Sequence, residues 1–123
     1  MMTNVLLERD SLTVRENQLS FTIRLPWYRS LPLSVIVIDE LRVDDRVLDL
    51  DSVRFALNGA VRKVSELADL ANEYWFVQDS LVLITDCPAD SSEHDVDVTL
   101  SFFPPYIADF RRKTRGFARM KVA

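Results

Sequence analysis

Alternation of apolar and polar residues over short runs most constrains this chain, because a period of two fits a strand with one buried face and fits no helix. In the first such run Leu19, Phe21, Ile23 and Leu25 are apolar, while Ser20, Thr22 and Arg24 between them are polar. Val53, Phe55 and Leu57 alternate with Arg54, Ala56 and Asn58, and Val96, Val98, Leu100 and Phe102 alternate with Asp97, Thr99 and Ser101. Leu81 and Leu83 follow the rule less cleanly. Val35, Ile36, Val37 and Ile38 are apolar without a break, which predicts a central strand covered on both faces, and Leu41 and Val43 carry the alternation on. Asp44-Asp45 and Asn58-Gly59 stand between runs and read as turns. With only two glycines, Gly59 and Gly116, the remaining turns fall to Asp, Asn, Ser and Pro.

One segment departs from this period. Residues 64–71 predict about two turns of helix capped by Ser65, with Leu67, Leu70 and Ala71 on one side. Six to nine short antiparallel strands with one short helix give the expected fold class: all-β, mainly antiparallel, a β-sandwich of jelly-roll-like form. The βαβ alternation of nucleotide-binding folds is absent, as are a Gly-rich phosphate loop and a GxSxG elbow.

A length of 123 residues, 48% of them hydrophobic, suits one domain with one core. The net charge of −4 is unevenly placed. All 19 acidic residues lie at or before Asp109, and six of the 15 Lys and Arg lie after it, leaving the two parts at −10 and +6. This contrast suggests a sandwich domain over residues 1–110 and a basic C-terminal tail over 111–123 that docks on an acidic surface, its own or a partner's. Nucleic acid is not an expected partner, since the body would repel phosphates and the tail lacks a groove-reading motif. No apolar run approaches the ~20 residues of a membrane span. The first residues lack the basic start and apolar stretch of a secretion signal, so the expected location is cytoplasmic.

One cysteine, Cys87, and one histidine, His94, form no intrachain disulfide and cannot furnish a structural zinc site. Cys87, before Pro88, reads as a semi-buried loop residue. His94, flanked by Glu93 and Asp95, reads as a surface histidine. Asp39, Glu40, Asp44, Asp45, Asp49 and Asp51 lack calcium-loop spacing and read as solvated turns. Tyr74-Trp75-Phe76 would anchor the preceding helix to the core. Phe102, Phe103, Tyr106 and Phe110 would seat the chain's exit, on the body or on a partner.

Residues 24–34, RLPWYRSLPLS, carry the most information. Pro26 and Pro32 each restrict themselves and the residue before them, so the loop between them is stiff. A stiff loop presenting Trp27, Tyr28 and Arg29 loses little entropy on docking and suits a recognition surface. The residues alone equally allow Trp27 and Tyr28 to cap the core.

This segment is similar to the arginine, Leu/Ile, Pro, aromatic, Tyr, Arg, small, x, Pro, Leu, Ser pattern of bacterial C-glycoside deglycosidase β subunits. The resemblance continues through Val43-Asp44-Asp45, Val53-Arg54-Phe55, Ser65-Glu66-Leu67, Trp75 to Asp79, and His94 to Val98, and spans about residues 5–106. Glu93 stands where the family pattern has glycine, Asp45-Arg46 replaces a more usual Asp-Gly turn, and the basic tail matches no part of the pattern.

The resemblance implies a β-sandwich that assembles with a larger alpha subunit, a sugar-isomerase-like TIM barrel carrying a divalent metal, commonly manganese. It implies cleavage of the carbon–carbon bond of a 3-oxo-C-glycoside by elimination, with the substrate at or near the interface. It places no catalytic residue, metal or cofactor in this chain. Partner contact and capping of the barrel's mouth fall to Arg24, Pro26, Trp27, Tyr28, Arg29 and Ser30, with Arg24 pairing a carboxylate within the chain or across the interface. The competing expectation is a stand-alone carbohydrate-binding module with Trp27, Tyr28 and Trp75 as its sugar platform.

Overall fold

The computed structural model describes residues 6–8, 10–86 and 92–122; Cys87 lies outside them. Among the described residues eleven strands run in chain order: β1 Thr13–Arg15, β2 Gln18–Arg24, β3 Leu31–Pro32, β4 Ile36–Val43, β5 Arg46–Val47, β6 Arg54–Leu57, β7 Ala60–Lys63, β8 Tyr74–Trp75, β9 Ser80–Thr85, β10 Glu93–Phe102 and β11 Arg112–Lys121. They form a five-stranded sheet ordered β1-β2-β9-β6-β7, a four-stranded sheet ordered β11-β10-β4-β5, and a ribbon of β3 with β8. Every strand pairing is antiparallel. This is the all-β sandwich that the alternation implies.

The apolar phase of each run faces the core. Phe21, Ile23 and Leu25, Val53, Phe55 and Leu57, Leu81 and Leu83, and Val96, Val98, Leu100 and Phe102 are all buried in one cluster drawn from both sheets. Both short turns form as the residue types dictate. Asp44 and Asp45 (φ 52° and 67°) join β4 to β5, and Asn58 and Gly59 (φ 54° and 78°) join β6 to β7. Positive φ at both central residues matches the right-handed twist of a hairpin.

β4 departs from expectation in an informative way. Its buried residues shift from even positions, Ile36 and Ile38, to odd ones, Leu41 and Val43. A register slip resolves the change of phase: Thr99 pairs with Glu40 and Leu100 with Ile38, leaving Asp39 as the extra residue. Val37 is not covered on the outer face but 38% exposed.

The helix is also different in kind. Residues Val64–Asp69 form a 3-10 helix, with shorter ones at Leu33–Val35 and Leu50–Ser52. Ser65 lies inside it and is not its cap. The Glu66 carboxylate reaches back to accept from the Lys63 backbone N–H at 2.8 Å, the return arm of a capping box. Val64 and Leu67 are buried, whereas Ala71 is exposed.

The boundary drawn at residue 110 does not hold. Residues Arg112–Lys121 are a strand of the sandwich, paired with β10 from Phe102↔Arg112 to Glu93↔Lys121. The basic charge that sets the segment apart is what fits it there. Arg115 makes a two-point contact with Asp97 at 2.9 and 2.6 Å, and Arg119 bonds Glu93 and Asp95, both at 3.1 Å. Gly116 lets this strand meet the opposite sheet. A Cβ there would lie 3.1 Å from both Leu6 Cβ and Leu7 Cγ, on a segment that extends the β1 edge through the bridge Leu7↔Ile23.

Candidate functional site

Three loops leave the sandwich at one end: residues 25–30 after β2, 76–79 before β9 and 103–111 between β10 and β11. Strand register puts them there, since Arg24 pairs with Ser80 and Phe102 with Arg112. Trp27 spans the two sheets at this end. Its ring lies 5.2 Å from Phe102 and 5.9 Å from Phe110, and its indole N–H donates to the Tyr106 hydroxyl. Half-buried against the core cluster, Trp27 is a strut that fixes two loops together.

Tyr28 and Arg29, by contrast, point outward. Tyr28 is 70% exposed, with its ring 4.8 Å from Trp27. The Arg29 guanidinium lies 5.1 Å over the Tyr106 ring, a cation–π contact that orders it without covering it. Pro26 is half-buried at the entry to the loop. Ser30 closes the loop from the other side, its Oγ accepting from the Val77 backbone N–H at 3.1 Å. Arg24 stands apart: it pairs within the chain, 3.3 Å from Glu8, which also accepts from Ser80 Oγ at 2.9 Å. Five of the six predicted site residues thus form one constellation, and Arg24 belongs to the strand edge below it.

The constellation is wider than residues 24–34. Tyr74, Phe76, Val77, Phe103 and Tyr106 are all at least 40% exposed at this end. Tyr74 and Phe76 stack at 6.2 Å, and Arg111 lies 5.5 Å over Phe103. Trp75 is turned the other way. It is fully buried, and its indole N–H donates to the Asp79 carbonyl at 3.0 Å. The sugar platform of Trp27, Tyr28 and Trp75 therefore does not form. Val77 carried no signal in sequence, because its role comes from the Ser30 contact 47 residues away.

His94 lies at the opposite end, at the start of β10. It is not a surface histidine: as an even-numbered residue of β10 it points inward with Val96 and Val98, and is 6% exposed. Its Nδ1 lies 2.6 Å from Asp44 Oδ2, and Asp44 Oδ1 accepts from the Asp95 backbone N–H at 2.9 Å. Partial burial works against the charged Asp44, but the bond to His94 and then the Asp95 N–H win, holding its carboxyl below the ordinary value of 3.8. Asp44 here locks a hairpin turn to the neighbouring strand. Among the described residues, no group of three or more His, Cys, Asp or Glu is placed to hold a metal ion, and no helix is long and apolar enough to cross a membrane.

Comparison with known proteins places the aromatic end in context. The family model described as C-glycoside deglycosidase beta subunit matches residues 9–106. A C-glycoside deglycosidase beta subunit of Arthrobacter globiformis is 37% identical over 109 residues, covering 87% of this chain and 83% of its own. Another, from Microbacterium trichothecenolyticum, is 36% identical over 108 residues, covering 87% and 82%. A 3'-dehydrocarminate deglycosidase beta subunit of Microbacterium sp. is 36% identical over 103 residues, covering 83% and 78%. The match spans most of the sandwich, including the loop of Trp27, Tyr28 and Arg29, and the chain belongs to the C-glycoside deglycosidase beta subunit family.

Proposed function

We propose that this chain is the non-catalytic beta subunit of a C-glycoside deglycosidase complex, a carbon–carbon lyase acting on 3-oxo-C-glycosides by elimination. It docks through its aromatic end on a TIM-barrel alpha subunit, with the substrate at or near the interface. The observation that supports this is the set of exposed rings at one end, Tyr28, Tyr74, Phe76, Phe103 and Tyr106, on loops tied together by Trp27 and Ser30. Clustered exposed aromatics beside arginine are the usual anchors of a protein interface.

The chemistry explains why a second subunit is needed. A C-glycosidic bond has no oxygen to protonate, so hydrolysis by a carboxylate pair cannot start. A ketone at C3 acidifies the proton on C2, and its removal gives an enolate. The enolate electrons form the C1–C2 double bond as the bond to the aglycone breaks, and the aglycone carbon takes up a proton. The reaction requires a base at C2 and a proton donor at the aglycone. His94, the chain's single histidine, sits at the end away from the aromatic loops. We therefore assign the base to the alpha subunit, together with the divalent metal, expected to be manganese, for which the described residues of this chain offer no ligand cluster.

The test is co-expression with the barrel subunit of the same source, followed by co-purification and assay on a 3-oxo-C-glucoside. A stable complex that releases aglycone, when neither chain alone does, is the expected result. A chain that stays monomeric beside the barrel subunit and binds free sugar overturns the reading.

A further inference from the structure

The basic run that begins at Arg111 divides in the fold. Arg115 and Arg119 are consumed by Asp97, Asp95 and Glu93 on the neighbouring strand. Arg111 lies 3.5 Å from Asp39 and donates to Ser101 Oγ at 3.2 Å. Arg112 and Lys113 have no carboxylate partner among the described residues, and neither has Arg29. All three are exposed. Register places Arg112 opposite Phe102, and so Arg112 and Lys113 lie at the aromatic end, next to Phe103. Arg29 reaches the same end over Tyr106. In the loop between β10 and β11, Phe103, Pro104, Ile107 and Phe110 wall a shallow groove of about 390 Å³, whose lining also carries one cation, Arg111, and one carboxylate, Asp109.

We infer that the partner subunit docks here with an apolar segment flanked by carboxylates. The apolar side chain enters the groove between Phe103 and Phe110, and the carboxylates meet Arg29, Arg112 and Lys113. Charge complementarity selects this occupant. The part of the chain up to Asp109 is strongly acidic, yet at this end Asp109 is the one carboxylate lining the groove, set beside Arg111, and Arg29, Arg112 and Lys113 stand exposed nearby. An acidic rim on the partner would be attracted to this end and repelled by the rest of the surface. Such steering acts on the association rate and fades as salt screens it. The inference rests on the docking role proposed above and specifies the chemistry of the other face.

The test compares the wild-type complex with Arg112→Glu/Lys113→Glu and with Lys121→Glu, at the opposite end of the same strand. Melting curves first establish that each variant is folded. Association rate and dissociation constant are then measured against the alpha subunit across a range of sodium chloride. The double variant is expected to bind at least ~10-fold more weakly, with a slower association rate and a flattened salt dependence, while Lys121→Glu stays within about twofold of wild type. Wild-type binding and salt dependence in the double variant would overturn the acidic-rim inference, leaving the aromatic docking end intact. Equal losses in both variants would overturn it too, by removing any preference for this end. Failure of the wild-type chain to bind at any salt concentration strikes instead at the docking role itself.

Discussion

The indole N–H of Trp27 donates to the hydroxyl of Tyr106 across 79 residues of sequence, tying the loop after β2 to the loop that leads into β11. Removing either end of that bond tests whether the two loops act as one body. Trp27→Phe keeps an aromatic ring and loses the donor, and Tyr106→Phe loses the acceptor. Each is expected to cost about 0.5–1.5 kcal/mol in urea denaturation. The double variant should lose less than the sum of the two, because the second change removes a partner already gone.

Tyr28 separates docking from folding. At 70% exposure its ring adds little to the core, so Tyr28→Ala should move stability by no more than about 0.5 kcal/mol. If Tyr28 is an interface anchor, the same change weakens assembly by ~30-fold, the effect of losing about 2 kcal/mol. Titration calorimetry against the alpha subunit, beside a thermal melt of the isolated variant, reads both quantities.

Asp44 gives the fold an acid-sensitive clasp. Its carboxyl titrates lower in the folded chain than its ordinary value of 3.8. It therefore contributes stability that is fully present above that pH and lost as pH falls through the folded value. Asp44→Asn tolerates the positive φ of the turn and can still accept from the Asp95 N–H. The variant is expected to be less stable at neutral pH and to show a shallower loss of urea midpoint between pH 5 and pH 2 than wild type. Parallel curves in that range would assign the acid sensitivity to other carboxylates.

Gly116 packs against the segment of Leu6 and Leu7 on the opposite sheet. A larger side chain there meets Leu6 and Leu7 at distances already short for a Cβ. Gly116→Leu is expected to destabilise by about 1–3 kcal/mol through overpacking. Gly59→Ala strains only an exposed hairpin with φ 78° and open space around it, and should cost about 1 kcal/mol. The ranking of the two by chemical denaturation distinguishes a packing glycine from a turn glycine.

Period-two alternation was sufficient to place Phe21, Phe55, Leu83 and Val98 inside, because on a half-buried strand the side-chain pattern is the structure. It was insufficient at β4, where Ile36 and Leu41 face the same core only because a bulge intervenes, and a bulge is set by the partner strand. The basic segment misled for a related reason. Composition shows six cations, but only the register with β10 reveals that Arg115 and Arg119 answer its odd-numbered carboxylates. The loop of Trp27, Tyr28 and Arg29 was legible from its prolines and ring types. Its companions, Val77 and Tyr106, were not legible as one surface with it, since nothing local links positions so far apart.

The order of pairing within the four-stranded sheet bears on when the aromatic end can exist. β10 lies between β4 and β11, and its contact with β4 joins residues on the order of fifty positions apart, as in Val96 with Val43. Closing so long a loop before any reward is slow, and apolar strands stay open in the meantime. The loop carrying Tyr106 closes the local hairpin of β10 and β11, but its bond to Trp27 also requires contact across 79 residues, which sets the Trp27 strut among the contacts expected late in folding. Until then the chain offers a partner no finished surface. If the partner docks on this end as proposed, assembly waits on completion of the sandwich.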